Sequence, residues 1–224
     1  MLVISIDGAC RRNGKPDCVS AGGVFIQQYD KDLYLKQVKA LSNYELKSTN
    51  QRGELLALLT ALDYIWSAKQ ETQIITDSEY LFNAMTKEWY RSWQHKGWVT
   101  AVGEPVKNRD LWQAISQAYS RCEEAGIDIH FFHIKGHCIP FGKVTANTLL
   151  TKDPTGESLL VEVLHKYDAV CSTTKKAQLD HANELSERNN GFQLVPTTLK
   201  RFVVANVIAD AIATKCVEAA DALM

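Results

Sequence analysis

An α/β fold is predicted, a five-stranded mixed sheet flanked by helices with a helical insertion before the C-terminal helix, and three observations predict it. The chain opens on Leu2-Val3-Ile4-Ser5-Ile6-Asp7, an apolar, β-branched run that ends in a carboxylate. Gln73-Ile74-Ile75-Thr76-Asp77 repeats that design, so two adjacent parallel strands would present Asp7 and Asp77 side by side. Between them, Leu55, Leu58, Leu59, Leu62 and Ile65 recur on one helical face. Ligands of open α/β sheets sit at the carboxyl ends of strands, which makes the position of both aspartates informative. Asp before Gly, as at Asp7-Gly8, is also a common turn signal, and the recurrence is what sets it apart.

A chain of 224 residues holds one sizeable domain with an insertion, or two small ones. Lys and Arg number 25 against 26 Asp and Glu, for a net charge of −1. That balance excludes a disordered chain or a uniformly basic nucleic-acid coat, so any nucleic-acid contact must use local patches. The cysteines at 10, 18, 122, 138, 171 and 216 form no Cys-x-x-Cys pair, and the first residues show no signal-peptide pattern. Reduced thiols in a cytoplasmic protein are expected. No apolar run approaches the length of a membrane span.

Taken in order, residues 8–16 form a polar loop punctuated by Gly and Pro, and residues 21–28 and 33–41 are two further strand candidates. Three antiparallel strands with short loops follow, the second turn at Asp30-Lys31-Asp32. Thr49-Asn50-Gln51-Arg52-Gly53-Glu54 then opens the first helix. Glu54 lies near the buried face in the first turn, where the helix dipole favours an acid; alone it reads as an ordinary helix-start residue. Ser78 starts a second helix directly after Asp77. Asp7, Glu54 and Asp77 would thus converge and repel one another unless a cation lies among them. A divalent metal with hard oxygen ligands, Mg²⁺ above all, answers that repulsion.

In residues 86–110, Lys87, Arg91, Lys96, Lys107 and Arg109 outnumber the acids, and Trp89, Tyr90, Trp93 and Trp98 are interleaved with them. Cations for phosphates and flat rings for sugars or bases suit a nucleic-acid groove. The competing reading is a helix that buries its tryptophans below a solvated basic face. A further helix over residues 111–124 and a strand over residues 127–134 lead into His133-Ile134-Lys135-Gly136-His137-Cys138. A zinc site is disfavoured because no second Cys or His pair follows at finger spacing. A mobile proton carrier at His137 fits better.

In combination, Ile6-Asp7-Gly8-Ala9, Thr49-Asn50-Gln51-Arg52-Gly53-Glu54, Thr76-Asp77-Ser78, the tryptophan-rich basic segment, Pro105-Val106-Lys107-Asn108-Arg109-Asp110-Leu111-Trp112 and His133-Ile134-Lys135-Gly136-His137 resemble type 1 ribonuclease H in order and spacing, over roughly residues 1–140. The resemblance implies hydrolysis of the RNA strand of RNA/DNA hybrids, leaving 5′-phosphate and 3′-hydroxyl ends. It assigns Asp7, Glu54, Asp77 and Asp210 to two Mg²⁺ ions, with Mn²⁺ as a substitute, and His137 to the turnover step. It maps contacts to RNA 2′-hydroxyls onto Asn13, Asn50 and Gln51, and a DNA-phosphate pocket onto Lys47, Thr49 and Asn108. Trp89 would lie along the sugar channel, with Ser78 and Trp93 also on the substrate side. Trp89 and Trp93 are expected to divide between groove and core.

The family usually places its fourth acid about ten residues after the loop histidine, and here the matching pattern comes only at Asn206-Val207-Ile208-Ala209-Asp210-Ala211-Ile212-Ala213. A domain spanning 1–224 is therefore expected to carry an insertion over residues 139–201. Asp180 and Glu184 compete with Asp210, but His181-Ala182-Asn183-Glu184-Leu185 lacks the Ala-Asp pair. Within the insertion Leu159, Leu160, Val163, Leu164, Tyr167 and Val170 recur at helical spacing, Ala177, Ala182 and Leu185 hint at a second helix, and Asn189-Asn190-Gly191 breaks the pattern. This reads as a helical hairpin beside the active site, removable across residues 143–200 without loss of the fold. Eight Lys or Arg against seven Asp or Glu over residues 139–205 argue against a phosphate-binding arm. Lid, substrate clamp and docking surface for a protein partner are the roles left open. Glu79 departs from the family, which commonly has an uncharged residue there. A monomer with no N-terminal hybrid-binding module is expected. The rival readings are a hybrid-binding or scaffold domain of the same fold, and a DNA nuclease or strand transferase built on it.

Overall fold

The computed structural model describes residues 1–136, 155, 157–171, 184, 187, 189 and 196–223. Five strands form one sheet in the order β3-β2-β1-β4-β5. β1 (Leu2–Arg11), β2 (Val19–Tyr29) and β3 (Leu35–Leu46) are antiparallel neighbours, and β4 (Thr72–Thr76) and β5 (Ile129–His133) continue in parallel from β1. The helices among the described residues are α1 (Asn50–Ala68), α2 (Glu79–Thr86), α3 (Trp89–His95), α4 (Arg109–Glu124), α5 (Glu157–Cys171) and α6 (Pro196–Asp221).

Strand alternation sorts the core into two layers. Leu2, Ile4 and Ile6 of β1 pack with α1, α2 and α4, whereas Val3, Phe25, Ile75 and Phe132 pack with α5 and α6. Glycines at the centre let helices press on both faces. A Cβ on Gly22 would collide with the backbone of Ala57 in α1, and one on Gly23 with the carbonyl of Ala209 in α6.

The structure corrects the predicted end of β1. The strand does not stop at Asp7; it continues to Arg11, paired with β2 through Arg11↔Val19. β4 is the strand that stops, so Asp7 lies where parallel pairing gives out and only the β1–β2 ribbon goes on. Small residues on both strands (Gly8, Ala9, Ala21, Gly22) keep that ribbon packed on α1, and the turn follows later, with Arg12 and Gly14 at φ 58° and 81°. Leu33 lies in the turn before β3, because the Asp30 carboxylate accepts from the Asp32 and Tyr34 amides at 3.0 and 2.9 Å and shapes residues 30–34.

The pattern from Asn206 is expected to open the last helix, which starts earlier. α6 begins at Pro196, a residue suited to a first helical turn, so Asp210 lies in mid-helix. The inserted α5 packs on the sheet side of α6: Leu159, Leu160 and Val163 are buried in the same cluster as Phe132 and Phe202. The hairpin's second helix, expected around Ala177 to Leu185, lies outside the described residues apart from Glu184, as do His137 and Asp180.

Candidate active site

Three carboxylates meet where β4 ends. Continuing the β1–β4 register past Ser5↔Ile75 sets Asp7 level with Asp77. Glu54 comes from the first turns of α1, whose start is fixed by Thr49: its hydroxyl accepts from the Arg52 amide at 3.4 Å. Gly8 makes the approach of α1 feasible, since a Cβ there would lie 2.5 Å from the Glu54 backbone nitrogen. Carboxylate oxygens of Asp7, Glu54 and Asp77 all fall within 4.8 Å of one another.

Asp210 joins them from α6. It lines the same cleft of about 480 Å³ with Asp7, Glu54, Asp77, Asn50 and Cys10. The Thr214 hydroxyl, one turn on, donates to it at 3.5 Å. Of the rival acids, Glu184 is exposed and Asp180 lies outside the described residues.

The electrostatics of the group are unfavourable without a cation. Burial pushes the Asp7 carboxyl well above its ordinary range, and the charges of Asp77, Glu54 and Asp210 push it further, against one amide bond from Gly8 at 2.7 Å. Glu54 is raised to about 8 by burial first and then by Asp77 and Asp210. Its buried Oε2 has no hydrogen-bond partner among the described residues. Hard oxygen donors, concentrated negative charge and an orphaned oxygen together fit divalent-cation ligation.

Of the residues assigned to substrate, Asn50 alone is among the described residues lining the cleft. Gln51 and Asn108 are brought together, the Asn108 amide donating to Gln51 Oε1 at 3.1 Å from a left-handed position at the start of α4. Beneath them Arg52 ties β3 to α4: its guanidinium bonds Glu45 at 2.5 Å and Asp110 at 2.6 Å and holds both carboxyls below their usual range. That brace fixes the elements carrying Lys47, Thr49, Gln51 and Asn108. Lys47 is exposed at φ 54°, Asn13 is exposed in the β1–β2 turn, and Ser78 caps α2 by accepting from the Leu81 amide at 3.5 Å.

Trp89 and Trp93 do not divide between groove and core. Both are half-buried, with ring centroids 6.3 Å apart, and Trp93 lies edge-on to buried Trp112 at 5.3 Å. Tyr90 and Trp98 take the core positions instead. Arg91 is committed to Glu88 and Glu123, which leaves less free positive charge on this segment than its composition suggests.

Residues quoted in the sequence motifs without a role of their own also shape the site. The buried Asn206 amide donates to Asp7 Oδ2 at 3.4 Å. It stands one turn before Asp210 on the same face, which is the signal that could have found it. His133 Nε2 lies 3.2 Å from the Asp77 carbonyl, and Gly136 abuts the Asp77 carboxylate.

Comparison with known proteins agrees with this geometry. The RNase H family model matches residues 1–150. The Ribonuclease H of Paracoccus denitrificans is 38% identical over 131 residues, 58% of this chain and 77% of that protein. That of Jannaschia sp. is 38% identical over 148 residues, 66% of this chain and 87% of that protein. Among solved structures, LC9-RNase H1, described as a type 1 RNase H with the type 2 active-site motif, matches with a TM-score of 0.52 at 23% identity, over 61% of this chain and 64% of that one. The solution structure of the PFV RNase H domain matches at 0.50 and 21%, over 70% of this chain and 92% of that one. The structural likenesses speak for the fold.

Proposed function

Since the chain belongs to the ribonuclease H family, we propose that it cuts the RNA strand of RNA/DNA hybrids as an endonuclease, leaving 5′-phosphate and 3′-hydroxyl ends. The observation that carries the reading is the meeting of Asp7, Glu54, Asp77 and Asp210 in one cleft around an unpartnered Glu54 oxygen. Held by these four carboxylates, two Mg²⁺ ions, or Mn²⁺ in their place, would supply an activated water and charge compensation for the leaving 3′ oxygen.

The protein's own groups position and select. Strand register holds Asp7 and Asp77 level, and the Asn206 amide orients Asp7. Asn13, Asn50 and Gln51 offer amides, which both donate and accept, to RNA 2′-hydroxyls. Lys47, Thr49 and Asn108 serve a DNA phosphate beside the Arg52 brace, and Trp89, Trp93 and Ser78 border the sugar path. His137, the residue after Gly136 in the sequence, moves protons during turnover. Residues 1–224 act as one domain interrupted by 139–201, a reading supported by the packing of α6 on β1 and β2. A cytoplasmic monomer is its simplest form, in keeping with the bacterial relatives. None of the described helices is long and apolar enough to cross a membrane.

Cleavage of a labelled RNA strand in an RNA/DNA hybrid, beside single-stranded RNA, duplex RNA and duplex DNA, tests the proposal. Selective hybrid cleavage that EDTA stops is expected. A folded, metal-binding protein that leaves the hybrid intact would overturn it.

A further inference from the structure

Among the described residues the sheet ends at β5, and the outward-facing amide and carbonyl groups of that strand meet no further strand there. On its inner side β5 is paired with β4, and just beyond it the Ile134 amide donates to the Thr76 carbonyl at 3.0 Å. On its outer side one side chain from the insertion takes the place of a strand. Asn189 accepts from the His133 amide through Oδ1 at 2.7 Å and donates to the His133 carbonyl through Nδ2 at 2.8 Å. Both bonds are buried. A primary amide can do this because it carries a donor and an acceptor side by side, as a peptide group does.

The residue clasped in this way leads into the site. The His133 imidazole reaches the Asp77 carbonyl, and three residues on, Gly136 passes so close to the Asp77 carboxylate that a Cβ would collide with Oδ2. The stretch from His133 to Gly136 therefore lies against Asp77.

We propose that Asn189 is a positioning residue for the metal-binding carboxylates: by clasping the His133 backbone it pins the outer edge of β5 and sets the place of Asp77. Asn189 contributes no group to the cleft among its described lining residues and acts through His133 and Gly136. The proposal rests on the reading of Asp7, Glu54 and Asp77 as metal ligands, and only its kinetic readout needs ribonuclease activity.

Calorimetric titration with Mn²⁺, with no nucleic acid present, is the primary test. Asn189→Ala should weaken Mn²⁺ binding by about tenfold, as loss of a group that orients a ligand commonly does. Asn189→Gln, which keeps the amide, should recover part of that loss. In hybrid cleavage the Mg²⁺ requirement should rise while KM for the hybrid stays unchanged. Mn²⁺ affinity equal to wild type in a folded Asn189→Ala protein would show a purely structural role and overturn the proposal. Should that variant fail to fold, the wild-type protein still decides: Mg²⁺ should shift the Asn189 side-chain amide resonances, and unshifted resonances overturn the proposal as well. A wild type that binds Mn²⁺ and cuts no hybrid defeats the ribonuclease reading while the titration still judges Asn189.

Discussion

Replacing Asp77 by Asn removes a charge that raises the proton affinity of the buried Asp7 and Glu54. The activity of Asp77→Asn is expected to fall by at least about a hundredfold in a hybrid-cleavage assay. Its metal-free form should at the same time melt higher than wild type at pH 8, by an amount on the order of 1 kcal/mol, because repulsion is relieved. A variant that loses activity and also melts lower would mean that Asp77 serves the fold rather than the metal. Asp7, Glu54 and Asp77 were legible from sequence because each is announced within a few residues: an apolar run that stops at an acid, or an acid beside a helical stripe. Asp210 was legible only through a longer pattern, since an acid on a helix carries no comparable local mark. Asn189 was not legible at all as a brace. Its partner is the backbone of His133, and a backbone edge leaves no trace in the side-chain sequence.

At the level of elements, the sheet is a spacer whose thickness at its centre is set by glycine. Gly23→Ala would drive a methyl group into the Ala209 carbonyl and push α6, with Asp210, away from β1. Loss of activity with a melting temperature lowered by roughly 2–12 °C is expected by differential scanning calorimetry, the cost of overpacking being about 1–3 kcal/mol. Leu159→Ala in α5 should cost about 2–4 kcal/mol in urea denaturation, since the side chain is buried in the layer beneath α6. A loss below 0.5 kcal/mol, roughly the scale of an ordinary surface change, would mark α5 as the accessory that the sequence predicts. The periodicity of residues 159–170 did predict a helix, and that helix is present. What periodicity could not say is which surface it covers, because Phe25, Phe132 and Phe202 come together only in the folded sheet. The length of β1 was misjudged for a related reason: its end is decided by where the neighbouring strand stops, not by the residues of β1 alone.

For the molecule as a whole, the raised carboxyls link stability to pH and to metal. Glu54 titrates near 8 in the folded protein and near 4.5 as a free side chain, so the folded state holds its proton more tightly. The stability this lends is fully present below about pH 4.5 and is lost as pH rises through about 8. Asp7 is shifted in the same direction. In EDTA, the contribution of these groups to the melting temperature should therefore decline across that window. Mg²⁺ should restore stability most at the alkaline end, where the carboxylates are charged; a concentration of 100 times the dissociation constant adds about 2.7 kcal/mol per site. Equal Mg²⁺ stabilisation at pH 5 and pH 9 would contradict the linkage. Five strands, the antiparallel pairing of the first three, the neighbourhood of β1 and β4 and the flanking helices followed from local pattern, whereas the place of β5 and the closure of the site by α6 did not. That closure joins Asp7 to Asn206, 199 residues apart along the chain. A ribosome therefore makes the sheet and its three carboxylates long before it makes the helix that finishes the cleft. Until α6 has left the exit tunnel, the nascent polypeptide holds only three of the four carboxylates that line the cleft.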